Sequence, residues 1–268
     1  MNNMLRFDFF KMVKSISTWV ILLCVIIFTT ASVSISYMTM NDGELPGIAQ
    51  EIGSQAIGVA LDDMSIVDWC IDSVSGDFLM LFVAVFAIVF VCSDYSSGYI
   101  KNIYGCIKNK LLYGISKIVV IVVFVFLSML VAYVTTMIAN LIIIKSDSWG
   151  EFWELIKYTG VKILLLTAYG TVCCMIATIT RKATVALVIV MGYSFLFANM
   201  MYTGINQLVT KGIHAHEFAI EKYALIANTI SVNLSSTPEQ INMSIIVSLV
   251  AIVFSISLGT FFFKKGDV

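Results

Sequence analysis

Charged residues and prolines are scarce in this chain. Only 12% of its 268 residues are charged and 59% are hydrophobic, whereas soluble domains average about 25% charged residues. This balance excludes an ordinary soluble domain and indicates an integral membrane protein. The chain has two prolines, which fits long uninterrupted helices, and a transmembrane barrel would instead show short alternating segments. The composition therefore predicts an all-α integral membrane protein.

Motifs of enzymes and of metal sites are also missing. The sequence has no GxSxG and no phosphate-binding GxxxxGK[ST]. The stretch "HEFAI" begins like the zinc motif HExxH, but Ile220 stands where the second histidine should be, so His214 and His216 are interpreted as loop residues. The six cysteines are scattered, with Cys106 on one side of the membrane and Cys70 alone on the other. We therefore expect no enzyme activity, no metal site and no cofactor bound by this chain.

Six stretches are long and apolar enough to cross a bilayer, which takes about 20 residues. The predicted spans are residues 16–37, 78–95, 111–144, 161–180, 183–201 and 241–263. Together with two outer segments, 39–77 and 202–240, they form a single transmembrane domain over residues 1–268.

Basic residues concentrate on one side of these spans. With a cytoplasmic N-terminus, eleven of the sixteen Lys and Arg residues lie inside. They are Arg6, Lys11, Lys14, Lys101, Lys108, Lys110, Lys117, Arg181, Lys182, Lys264 and Lys265. The positive-inside rule then predicts that both termini are cytoplasmic. The short turn at Arg181 and Lys182 makes the fourth and fifth spans antiparallel neighbours.

The first fifteen residues predict a short helix along the inner membrane interface. Leu5, Phe9, Met12 and Val13 recur at helical spacing, while basic residues lie mostly on another side. The alternative is a helical extension of the first span.

No predicted span has a charged residue near its middle. Lys117 and Lys162 lie near span ends, where their side chains are expected to extend to the headgroups. Because ion-coupled carriers usually need buried carboxylates or broken helices, the sequence disfavours such a carrier.

Uncharged polar residues remain as candidates for a translocation path or for bonds between helices. They are Tyr133, Thr136, Tyr169, Tyr193 and Asn199. Gly170, Cys174 and Thr178, spaced by four, form a stripe of small residues that favours close helix packing.

The two outer segments carry different signals. Residues 39–77 contain eight acids and no Lys or Arg, which could attract a cationic substrate or simply follow the positive-inside rule. Trp69 is expected to anchor in the outer headgroups. Residues 202–240 are apolar for a loop, and Ile220, Tyr223, Ala227 and Ile230 predict an outer helix.

The stretch "DYSSGYIKN" after the second span resembles a pattern in the permeases of type-2 ABC exporters. Asp94, Gly98, Ile100, Lys101 and Asn102 occupy the places of an acid, a glycine four residues on, and an apolar residue followed by Lys and Asn. The family more often has glutamate as the acid. The number of spans, the N-terminal helix and the chain length agree with the same family.

This resemblance implies a short cytoplasmic coupling helix between spans two and three that docks in a groove of a separate ATPase. Ile103, Tyr104 and Ile107 would be its anchors. The basic residues Lys101, Lys108 and Lys110 would complement an acidic rim. The partner ATPase would bind ATP and Mg²⁺, and a second identical or related permease would complete the path.

Several further expectations follow from the resemblance alone. They are a place in the bacterial cytoplasmic membrane, contact with membrane lipid but not with nucleic acid, and export of an antimicrobial peptide or another amphipathic molecule. The alternatives are a basic loop that only fixes topology, a non-transporting assembly or sensor protein, and, least favoured, an ion-coupled carrier.

Overall fold

The protein is a bundle of helices in the computed structural model, which describes residues 2–42, 65–75, 77–100, 111–144, 148–197, 202–206, 220–233 and 236–265. Within these ranges it contains no strand. In chain order the helices are α1 (Asn2–Lys14), α2 (Ile16–Asp42), α3 (Ile66–Ser75), α4 (Asp77–Ser96), α5 (Leu111–Ala139), α6 (Phe152–Thr180), α7 (Ala183–Met191), α8 (Leu225–Ser231) and α9 (Pro238–Lys265). The all-α fold and the multi-pass membrane character predicted from the composition are confirmed.

Five described helices, α2, α4, α5, α6 and α9, are long and apolar enough to cross a membrane. They correspond to the first, second, third, fourth and sixth predicted spans. The fifth predicted span is represented by α7, which continues as the π-helix Gly192–Phe197. At 1.5 Å per residue this described stretch covers about 22 Å, less than the roughly 30 Å of a hydrocarbon core.

Two helix starts differ from the prediction for local reasons. The fourth span was predicted from residue 161, but α6 begins at Phe152, because Glu154 and Lys157 are tolerated on the exposed side of its first turns. The last helix begins at Pro238, where proline is favoured in the first turn. There Gln240 Oε1 accepts from Thr237 N at 3.1 Å and Thr237 Oγ1 accepts from Gln240 N at 3.4 Å, which is a capping box.

The N-terminal helix is separate from the first span. Helix α1 ends at Lys14, and Ser15 is non-helical before α2 begins. A short helix is therefore present at the N-terminus and is not a continuous extension of the first span, whereas its place along the inner membrane interface stays a prediction. Phe10 and Val13 are 61% and 56% exposed, whereas Met12 is 4% exposed and packs into the bundle.

Helix α6 is the centre of the bundle and packs against α3, α4, α5, α7, α8 and α9. A Cβ added to Gly170 would lie 2.8 Å from Ile121 of α5 and 3.2 Å from Val83 of α4, so only glycine permits this approach. The Cys174 Sγ lies 3.8 Å from the carbonyl oxygen of Ala87. The stripe of small residues thus serves helix packing, as predicted.

The bundle has two ends, named here for the helices they carry. The α1 end contains α1, the turn at residues 97–100, and Arg181 between α6 and α7. The α3 end contains α3, α8 and the start of α6. At the α3 end, Ile66 N donates to the Ser148 carbonyl at 2.9 Å and Val67 N to the Trp149 carbonyl at 3.3 Å.

Two predictions about the α3 end are wrong. Trp69 is 3% exposed and is part of the packed interior, whereas Trp149 and Trp153 are 67% and 62% exposed. These two are the ones placed to anchor at an interface. The helix predicted through Ile220 and Ile230 is broken at Ala224 into a 3₁₀ turn, Ile220–Tyr223, and α8.

Candidate functional site

The α1 end contains a buried ionic cluster that joins three helices. We define the ionic cluster as Asp8 and Lys11 of α1, Asp94 of α4, and Tyr113 and Lys117 of α5. Lys117 Nζ lies 2.8 Å from Asp8 Oδ1 and 2.6 Å from Asp94 Oδ2. Lys11 forms an ion pair with the other oxygen of Asp94, and Tyr113 donates a hydrogen bond to Asp94 Oδ2 at 3.1 Å.

The cluster is almost closed to solvent. The side chains of Asp8 and Asp94 are each 1% exposed and that of Lys117 is 4% exposed, whereas that of Lys11 is 22% exposed. Two acids and two lysines balance to zero net charge, so each buried charge has a counter-charge in contact. Because removing one partner leaves an uncompensated buried charge, the three helices are tied to one another by charge as well as by packing.

Aromatic rings surround these charges. Lys117 Nζ lies 4.6 Å from the ring centroid of Phe90 and 5.0 Å from that of Tyr113. On the other side of the same tyrosine, the rings of Tyr113 and Phe263 stack at 4.6 Å. Cation–π contacts of this kind stabilise a desolvated ammonium group, and the stack brings the end of α9 to the cluster.

The turn that follows α4 is fixed in the same region. Gly98 has φ +68, a left-handed conformation that favours glycine, and its N–H donates to the Tyr95 carbonyl at 3.2 Å. Tyr99 stacks on Phe7 of α1 at 4.4 Å. Burial raises the pKa of Tyr99, and the nearby carboxylates of Asp8 and Asp94 raise it further.

Ile100 then returns the chain to the interior. It is 2% exposed and packs in one apolar cluster with Tyr113 and Phe263. Of the predicted coupling motif, the structure therefore brings Asp94, Gly98 and Ile100 together at the α1 end. The other predicted coupling residues lie outside the described residues. They are Lys101, Asn102, Ile103, Tyr104, Ile107 and Lys108.

The polar residues predicted to line a path are used in separate places. The Tyr133 and Thr159 hydroxyls lie 2.9 Å apart, and those of Tyr169 and Ser194 lie 2.8 Å apart. Thr136 is fully buried and Tyr193 is 44% exposed. Asn199 lies outside the described residues. Tyr133 and Tyr169 thus join helices, which is one of the two roles predicted for them.

Two lysines expected to extend to headgroups do not. Lys117 is 3% exposed and Lys162 is 1% exposed. Lys162 Nζ donates to the Thr229 carbonyl at 2.5 Å, which ties α6 to α8. Both prefer partners inside the bundle because bonds to carboxylate or carbonyl oxygens compensate the cost of burying the ammonium group.

Sequence reasoning missed the pairing of Lys117 with Asp8 and Asp94. A signal was present: on the side rich in basic residues, only Asp8, Asp94 and Asp267 are acidic. Two isolated acids among many lysines, each next to a predicted span, are candidates for specific ion pairs. The pairing itself needs the fold, because Asp8 and Lys117 are 109 residues apart.

A small cavity of about 40 Å³ lies beside the ionic cluster, between α4, α5, α6 and α9. Lys117 and Tyr113 form one side of it, and Ser255 and Thr260 of α9 form another. Of the predicted path residues, the four that the structure describes do not line it. Within the described ranges, no group of three or more His, Cys, Asp or Glu side chains is arranged to hold a metal ion.

Comparison with known families gives one match. The model of a family described as "Protein of unknown function (DUF2705)" matches residues 56–268, which is most of the chain. The match includes Asp94, Tyr113 and Lys117 but not α1. No curated protein matches the chain significantly.

Proposed function

We propose that this chain, which belongs to the family of proteins of unknown function DUF2705, is the permease subunit of an ATP-driven ABC exporter in a bacterial cytoplasmic membrane. A separate ATPase supplies the energy, and a second identical or related permease completes the path. The cargo is an antimicrobial peptide or another amphipathic molecule. This function was expected from the resemblance carried by Asp94 and the residues after it.

The observation that best supports the proposal is the position of the ionic cluster. Asp94 lies just before the segment 101–110, and Tyr113 and Lys117 lie just after it. All three are bonded to one another or to α1. A push on this segment would therefore move the end of α4, the start of α5 and α1 together. A permease driven by an external ATPase needs such a linked junction, because it passes the movement caused by docking to several helices at once.

Six crossings, with both termini on the cytoplasmic side, belong to the same proposal. Arg181, just before α7, lies 6.0 Å from the ring centroid of Tyr95 at the α1 end. Val232, after α8, accepts a hydrogen bond from Tyr158 at the α3 end, with the oxygen atoms 3.3 Å apart. These two contacts lie at opposite ends of the bundle, which supports a sixth crossing between Arg181 and Val232.

The test is purification of the tagged chain from the cells that produce it, with identification of stoichiometric partners. We expect a soluble ATPase to co-purify. Tyr104→Asp places a charge on a proposed apolar anchor and should abolish co-purification while leaving membrane insertion intact. Tyr223→Asp, at the α3 end and 54% exposed, is the matched control and should retain the ATPase.

Two results would contradict this proposal. If no ATPase accompanies the wild-type chain, a non-transporting assembly or sensor protein is favoured. If the ATPase binds normally to Tyr104→Asp, the segment 101–110 is not the contact.

One structural observation, which the sequence did not show, favours the alternative of an ion-coupled carrier. Asp8 Oδ2 is buried and has no hydrogen-bond partner among the described residues, and a buried carboxylate in a membrane protein is a common proton site. The two functions differ in energy source. Export that stops on ATP depletion supports the exporter, whereas export that stops only when the proton gradient is collapsed supports the carrier.

A further inference from the structure

The cavity beside the ionic cluster has an unsatisfied polar group in its wall. Ser255 is 4% exposed, and its Oγ is buried with no hydrogen-bond partner among the described residues. A buried hydroxyl without a partner destabilises the fold, because it loses its hydrogen bonds to water. The three threonines that line the same cavity, Thr171, Thr178 and Thr260, each donate to a carbonyl oxygen of their own helix. Ser255 differs from them and points to an occupant of the cavity.

The other hydroxyl groups that line the cavity are available mainly as hydrogen-bond acceptors. Thr171 donates to the Ala168 carbonyl at 2.7 Å, and Thr178 donates to the Cys174 carbonyl at 2.8 Å. Since each hydroxyl has one proton and two lone pairs, both oxygens can still accept. Thr260 donates to the Ser257 carbonyl at 3.0 Å, so its oxygen can also still accept a hydrogen bond.

Lys117 offers a donor on the opposite side. Its ammonium group has three protons, and the two ion pairs with Asp8 and Asp94 use two of them. One N–H therefore remains, and Lys117 lines the cavity. An occupant with both protons and lone pairs could accept from Lys117, donate to the threonine oxygens and bond to Ser255 in either direction.

The volume of the cavity and the charges around it indicate which kind of occupant fits. Water needs roughly 10–15 Å³ of such space per molecule and two to four polar partners, so 40 Å³ holds about three molecules. An added cation would face Lys117, and an added anion would upset a cluster that is already neutral. A purely apolar guest would leave Ser255 unpaired.

We propose that this cavity holds a small group of ordered water molecules bound to Ser255 and Lys117. Water in this cavity allows the ion pairs of the ionic cluster to rearrange. When a helix moves and an ion pair lengthens, a neighbouring water molecule can replace the lost partner, because a water-mediated bond is nearly as favourable as a direct one. The cluster can then change partners without exposing a bare charge to an apolar surrounding.

The test is hydroxyl-radical footprinting of the full chain in lipid nanodiscs, where radicals form from water next to the labelled side chain. Met175 lines the cavity, whereas Met80 and Met129 are each 1% exposed in the apolar core. We expect Met175 to be oxidised several-fold faster than either control methionine. Phe254, 60% exposed on the outside of α9, reports the dry lipid side and should remain unlabelled.

A variant pair then tests the role of Ser255. Ser255→Val removes the hydroxyl and fills part of the cavity, so it should slow Met175 oxidation several-fold. Ser257→Val, at an exposed position of the same helix, is the matched control and should leave the rate unchanged. Equal oxidation of all three methionines in the wild-type chain, or an unchanged Met175 rate in Ser255→Val, would show a dry or lipid-filled cavity and overturn the proposal.

Discussion

The two ends of the bundle are held together by different forces. At the α1 end, α1, α4 and α5 meet through buried ion pairs centred on Lys117 and Asp94. At the α3 end, α3 is joined to the segment just before α6 by backbone hydrogen bonds from Ile66 and Val67 to the carbonyls of Ser148 and Trp149. An apolar cluster that includes Ile71 and Leu155 packs beneath it.

This difference indicates which end can rearrange. An ammonium group can exchange one carboxylate for another, or for water, with little change in geometry. Interdigitated apolar side chains and backbone bonds have one close-packed arrangement, and separating them exposes surface and unpaired groups. We infer that the α1 end is the adaptable end and the α3 end is the fixed one. An adaptable end beside the segment 101–110 suits the proposed role in energy coupling.

The largest effect is expected from Lys117→Met. The substitution keeps the length of the side chain but leaves Asp8 and Asp94 without their shared cation. We expect the free energy of unfolding to fall by about 3–5 kcal/mol, the usual result of breaking a buried ion pair from one side. Unfolding of the purified protein in mixed micelles, followed by tryptophan fluorescence, measures this change.

Lys14→Met is the control for that experiment. Lys14 is a basic residue of α1 at an exposed position, and exposed substitutions away from special features usually change stability by less than about 0.5 kcal/mol. If both variants lose the same stability, the ionic cluster is not what holds the α1 end together.

A smaller effect is expected at the α3 end from Ser65→Ala. Ser65 caps α3: its Oγ accepts from Asp68 N at 3.3 Å and donates to Asp68 Oδ2 at 2.7 Å. Loss of a serine cap costs about 1 kcal/mol, and the same unfolding measurement should show it. Ser73→Ala is the matched control, because the Ser73 hydroxyl donates to the Cys70 carbonyl within α3 and does not cap the helix. Equal results for the two variants would contradict the capping role.

The helices could be predicted from the sequence wherever an apolar run is long. The start of the first span agrees with the prediction, since α2 begins at Ile16, directly after the non-helical Ser15. The start of α6 could not be predicted from the sequence. Its first turns expose Trp153 and Lys157, so they carry no run of apolar residues that would mark a span. The break at Ala224 was missed for a related reason: spacing predicts a helical face but not where packing interrupts it.

The site was predictable only in part. The pattern around Asp94 drew attention to Asp94, which the structure places in the ionic cluster. It could not indicate that Asp8 and Lys117 meet, because pairs far apart in sequence depend on how α1 folds back on α5. Positive-inside counting also treats every lysine alike, so it assigned Lys117 to the headgroups although its closest partners are carboxylates.

The smallest effect concerns Cys70, which reports on the fixed end without altering it. Cys70 is fully buried, and burial raises the pKa of its thiol to about 11. An unfolded thiol ionises at roughly pH 8.5. The stability that depends on a buried, protonated Cys70 thiol is therefore fully present below about pH 8.5. It is lost as the pH rises through about 11.

Because the thiolate is the reactive form, maleimide labelling of Cys70 at pH 7.5, measured by mass spectrometry, should be far slower in the folded protein than in SDS. The rate should rise with pH toward 11. Labelling that is as fast in the folded as in the denatured protein would show that the α3 end opens readily. In that case it would not be the fixed end, and the contrast between the two ends would fail.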